Sequence, residues 1–142
     1  MNKPEMVALC SSELYGLLAV GSQTGITLVD PKTPEPLADI AGPDGDYGVR
    51  SLEFCGHLLS CGGGVGRLSF FDVRKGWLSG RNGEPFLQSS PHWLTGSPTH
   101  HHGQLVTSAI YAHEWNADSV QLVCGGGPLM LSIQGFYSAV WC

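Results

Sequence analysis

Apolar residues in this chain come in short runs, and the runs recur. LLAVGS begins at Leu17, LLSCGG at Leu58 and QLVCGG at Gln121, each an apolar stretch ending in small residues. A second run follows each of them: ITLVD at Ile26 to Asp30, LSFFD at Leu68 to Asp72, and SAVWC at Ser138 to Cys142. A third precedes each: MVALC at Met6 to Cys10, VRSLEFC at Val49 to Cys55, and SAIYAH at Ser108 to His113. Within VRSLEFC, Val49, Ser51, Glu53 and Cys55 alternate with Arg50, Leu52 and Phe54, the period of two that a pleated strand imposes on its faces. PLADI at Pro36 to Ile40 adds a fourth strand to the first unit, and PFLQS at Pro85 to Ser89 adds one to the second.

Leu17 and Leu58 are 41 residues apart, and Asp30 and Asp72 are 42 apart. Four strands per unit at a period of about 40–45 residues is the signature of a β-propeller blade. The spacing therefore predicts an all-β chain of about three four-stranded antiparallel blades, over residues 6–41, 49–90 and 107–142, the last lacking its outer strand. The third unit is overlong: a loop insertion is expected over 76–106, and a second excess lies between Gly127 and Tyr137. Propellers close with typically four to eight blades. The chain is thus expected to be an incomplete β-propeller, the closing part of a longer ring or a short form of one. Open blades leave unpaired edges, so the isolated chain is expected to be poorly soluble or oligomeric.

Composition narrows the function classes. Seven Lys and Arg stand against twelve Asp and Glu, a net charge of −5, and residues 82–142 contain no Lys or Arg at all. Nucleic-acid binding needs clustered cations to displace phosphate counterions, so no nucleic-acid partner is expected. The N-terminal apolar stretch is broken by Ser11, Ser12 and Glu13, which fits neither a signal peptide nor a membrane span. Five cysteines with no C-x-x-C pair argue against a disulfide framework and a zinc knuckle, and point to a reducing compartment, cytoplasmic or nuclear.

The remaining candidate chemistry is thin. His100, His101 and His102 would alternate in direction on an extended chain and cannot all face one ion, so a solvated loop is expected and no metal or cofactor. Gly62 to Gly64 and Gly125 to Gly127 lack the Gly-Lys-Ser/Thr continuation of a phosphate loop and read as tight turns after the second strand. Cys55 with His57, or Cys61 with His113, could be written as a thiol and base, but nothing in the sequence orients either imidazole. No enzyme activity is expected. Trp77, Trp93 and Trp115 serve either packing between blades or partner recognition.

The units resemble the WD-repeat family, in which a hydrophobic residue and Trp-Asp close the third strand; Val29-Asp30, Phe71-Asp72 and Trp141-Cys142 stand there. No unit has an intact Trp-Asp, and no Gly-His precedes a first strand, so the usual buried tetrad of such blades is not expected. GSQTGITLVD, YGVRSLEFCGHLLSCGGGVGRLSFFDVR, LVCGGGPL and FYSAVW further resemble the C-terminal part of the cullin-4-associated substrate receptors of ubiquitin ligases. That resemblance implies a non-catalytic protein-interaction module. Its implied partners are a ligase adaptor and cullin complex and degron-bearing substrates, with no membrane. A generic WD-repeat scaffold of another complex is the alternative. The resemblance also implies recognition of an acidic peptide C-terminus, for which Arg50 and Arg67 are the candidate peptide-binding residues. Blade geometry places the start of a first strand and the turn between second and third strands on one face; Arg74 and Lys75 should lie on the opposite one. The competing reading pairs Arg50 and Arg67 with Asp44, Asp46 or Glu53.

Overall fold

The computed structural model describes residues 6–33, 35–42, 44, 48–75, 86–88, 100–101, 104–105, 108–128 and 137–141. The first blade is an antiparallel sheet of β1 (Met6–Ser12), β2 (Leu17–Ser22), β3 (Gly25–Val29) and β4 (Pro36–Ala41), paired in chain order. The second repeats it with β5 (Val49–Cys55), β6 (Leu58–Gly63), β7 (Arg67–Asp72) and β8 (Phe86–Gln88). Two short strands, β9 (His100–His101) and β10 (Gln104–Leu105), pair with each other inside the segment expected to be a loop. The third blade contains β11 (Ser108–Trp115), β12 (Leu122–Pro128) and β13 (Tyr137–Trp141). This is the all-β, incomplete-propeller architecture that the 41-to-42-residue recurrence predicts. Among the described residues the helical structure is a single 3-10 turn, Val73–Lys75, and no helix is long and apolar enough to cross a membrane. Trp77, Trp93 and Asp46 lie outside the described residues.

The core sits between the sheets. One cluster, built on Ala19, Ile26, Leu28, Val49, Leu59 and Cys61, fills the joint between the first and second blades. The other, built on Leu68, Ile110, Leu122 and Cys124, fills the joint between the second and third. Cys61 and Cys124 are fully buried, and burial pushes the Cys61 thiol far up, so both act as small hydrophobes.

The register shows one construction repeated three times. Each first strand carries a bulge near its start: Val7 is skipped between Met6↔Ser22 and Ala8↔Gly21. Arg50 is skipped between Val49↔Gly63 and Ser51↔Gly62, and Tyr111 between Ile110↔Gly126 and Ala112↔Gly125. Opposite every bulge stands a pair of small residues. Gly62, Gly63 and Gly125 to Gly127 therefore belong to strands, not to the turns expected of them. The reason is close approach of the next blade. A Cβ on Gly21 would lie 2.5 Å from Val49 Cγ1, and one on Gly62 would collide with Ser51 Oγ and lie 2.9 Å from Ile110 Cγ2. In the second and third blades the residue before the bulge thus seats on the glycine of the preceding blade. Gly62→Ala is expected to lower the unfolding free energy by about 1–3 kcal/mol, the range for overpacking a filled joint, with denaturant unfolding as the measurement. A change below ~0.5 kcal/mol would show that the joint is not tight there.

A candidate peptide-binding end of the propeller

Arg50 and Arg67 stand at the same end of the second blade. Strands β5 and β7 run parallel to each other with β6 between them, and Ser51 and Leu68 share Gly62 as their register partner. Two strand spacings separate their backbones, roughly 10 Å. Arg74 and Lys75 follow the far end of β7, where Arg74 Nη2 donates to Asp72 at 2.7 Å and holds that carboxyl well below its usual range.

Asp44 belongs to this end as well. Its side chain is fully buried, its Oδ2 accepts from Val65 N at 3.1 Å, and its Oδ1 lies 3.8 Å from Arg67 Nε. A side chain at Gly63 would occupy the place of that carboxylate. Burial raises the Asp44 pKa, opposed by the Val65 amide and by Arg67. Arg67 thus already faces one carboxylate and helps tie the connection before β5 to the β6–β7 turn. Arg50 Nε is buried as well, and it donates no hydrogen bond among the described residues. Its neighbour across the joint is Tyr111, the bulge residue of the third blade, whose half-buried phenol is raised by burial and lowered by the Arg50 charge. Tyr111 went unremarked in the sequence, although aligning the units on their small pairs puts Val7, Arg50 and Tyr111 at one position.

What holds β5 against β11 is a polar network. His113 Nδ1 lies 2.6 Å from Ser51 Oγ and its Nε2 lies 2.8 Å from Ser60 Oγ. Ser60 donates to Glu53 O at 3.0 Å and accepts from Trp115 Nε1 at 3.2 Å, while Trp115 N donates to Glu53 Oε2 at 3.0 Å. Ser60 has one proton and two lone pairs. With its proton on Glu53 O, it accepts from both Trp115 and His113, so His113 carries its proton on Nε2 and takes the Ser51 hydroxyl at Nδ1. Every group is satisfied with a neutral imidazole, and burial depresses the His113 pKa to about 4.

Two sequence expectations change here. The His113 imidazole is oriented after all, but by two serines, of which Ser60 is wholly buried and Ser51 nearly so. Cys61 is not its partner, because Cys61 packs in the joint with the first blade while His113 faces the joint between the second and third. Trp115 packs there too, edge-on to Phe70 at 6.1 Å between centroids. Its role is packing between blades.

Stacked antiparallel sheets of four, four and three strands, each bulged near the start of its first strand, define the chain as an arc of a WD-repeat-type β-propeller. One solved chain, described as "Crystal Structure of Mitotic Checkpoint Complex", superposes with a TM-score of 0.63 at 19% identity, over 98% of this chain and 38% of that one. The chain therefore spans well under half the length of that solved chain. The family model described as "DDB1- and CUL4-associated factor 12 beta propeller" matches residues 2–92, and the chain belongs to that family.

Proposed function

We propose that the chain is a non-catalytic protein-interaction module of the substrate-receptor type, serving a cullin-RING ubiquitin ligase. The family match over residues 2–92, whose description names association with DDB1 and CUL4, is the observation that carries this reading. Its partners on this proposal are the ligase adaptor and cullin complex together with degron-bearing substrates, in the cytoplasm or nucleus. Propellers of this kind bind through their loop ends.

The end carrying Arg50 is the proposed substrate site, and its ligand is an acidic peptide C-terminus. A guanidinium offers a planar pair of donors suited to a carboxylate. What supports Arg50 is its place on a bulge, a device that re-aims a side chain, and its buried Nε, which has no acceptor among the described residues. Arg67 is the lesser contributor because Asp44 stands beside it. Peptide titration tests the site. Arg50→Ala is expected to weaken an acidic C-terminal peptide by about 1.5–3 kcal/mol, the value of a charged hydrogen bond, and Arg67→Ala by less. Lys75→Ala, at the far end, is expected to leave binding unchanged. Equal small effects at all three positions would remove the site assignment. Affinity capture with mass spectrometry separates the ligase reading from a generic scaffold, which would return a different assembly.

A further inference from the structure

Two of the three bulges meet across one joint. Arg50 and Tyr111 are the residues that the register skips on β5 and β11. Their chain neighbours touch: Ser51 Oγ lies 3.5 Å from Ile110 O, and Ser51 follows Arg50 directly as Ile110 directly precedes Tyr111. Gly62 permits this approach, because a side chain there would collide with Ser51 Oγ and with Ile110. The His113 ring, bonded to Ser51 and Ser60, holds the two strands at that separation. Arg50 and Tyr111 are both half-buried, and the phenol feels the guanidinium charge across the joint. A bulge re-aims the side chain it carries, and here two bulges bring a guanidinium and a phenol to one end of one joint.

We infer that Tyr111 is a ligand-binding residue, and that the terminal carboxylate of the peptide is seated across the joint between the second and third blades, held by the Arg50 guanidinium and the Tyr111 hydroxyl. The inference rests on the reading of this end as the peptide site, and it moves the seat away from the pair Arg50 and Arg67 within the second blade. A guanidinium supplies donors in one plane and a phenol supplies one more, while a carboxylate has two oxygens with lone pairs to spare, so both groups are served at once. Burial raises the Tyr111 pKa, so the hydroxyl keeps the proton it donates. Arg67 suits the second donor less well. The buried Asp44 carboxylate lies 3.8 Å from its Nε, and a ligand carboxylate there would meet like charge. The seat therefore selects a free peptide C-terminus over an amide, which carries no charge and only one accepting oxygen.

Fluorescence anisotropy on the full chain tests the seat, with one acidic peptide in two forms, a free C-terminal carboxylate and a C-terminal amide. The wild-type chain is expected to prefer the free acid by about tenfold or more. Tyr111→Phe removes only the hydroxyl. It is expected to weaken the free acid about tenfold and to leave the amide within about twofold, so that the preference disappears. Arg50→Ala is expected to lower the preference as well, and the double variant to lose much less than the product of the two single losses, because both groups hold one carboxylate. Arg67→Ala is expected to leave the preference in place. If Arg50→Ala removes the preference and Tyr111→Phe does not, the inference is overturned and the Arg50 site stands. Equal weakening of both peptide forms by Tyr111→Phe assigns the hydroxyl to the fold and overturns it too. A wild-type chain that binds the two forms alike, or an Arg50→Ala chain that binds as the wild type does, overturns the peptide site and this seat together.

Discussion

Between pH 7 and pH 4 the chain is expected to lose on the order of 3 kcal/mol of folding free energy through His113. The imidazole is depressed from 6.5 to about 4 by burial in the joint between the second and third blades. In the unfolded chain it takes up its proton near pH 6.5, while the folded chain resists until about pH 4, so the unfolded state binds more protons in that window. The contribution is whole above pH 6.5 and is lost as the pH falls toward 4, at about 1.4 kcal/mol per pH unit. Asp44 and Glu53 oppose it, because burial raises both carboxyl groups and acid then favours the folded form. Chemical denaturation across the window, for the wild type and His113→Gln, separates them. The variant is expected to be less stable at pH 7 and to have lost most of the slope. An unchanged slope would show that His113 is not the group that titrates.

Leu59→Ala is expected to cost about 2–5 kcal/mol, the range for emptying a filled apolar site. Leu59 is fully buried on β6 among Val49, Ile26, Leu28 and Phe71, at the joint between the first and second blades. Leu37 on β4, 52% exposed, is the comparison: Leu37→Ala is expected to stay within ~0.5 kcal/mol. Denaturant unfolding of the two variants measures both values. Similar losses at the two positions would contradict the placement of the core between the sheets.

The strands themselves were legible. Every run named from the alternating pattern became a strand whose ends fall within two residues of expectation, because the period of two and the turns between runs are written in neighbouring residues. The spacing of 41 and 42 residues likewise disclosed the blade, and with it the common end that Arg50 and Arg67 share. Their partners were less so: Asp44 was one of three carboxylates weighed, and only the folded chain sets it beside Arg67 at 3.8 Å.

By itself, the sequence determined where the strands run and how often the unit repeats. Tertiary structure alone decided which face each strand buries and what it meets there. Leu9, Leu52 and His113 hold the same register position in the three blades. Leu9 is 68% exposed, Leu52 is 9% exposed, and His113 is wedged between two serines. The glycine pairs looked like turns for the same reason: a side chain at Gly62 would meet Ser51 on the neighbouring strand and Ile110, 48 residues further on, in another sheet. Strand periodicity is a local property of the chain, whereas the approach of one sheet to the next depends on residues such as Ser51 and His113, 62 positions apart, whose contact exists only once the blades have stacked.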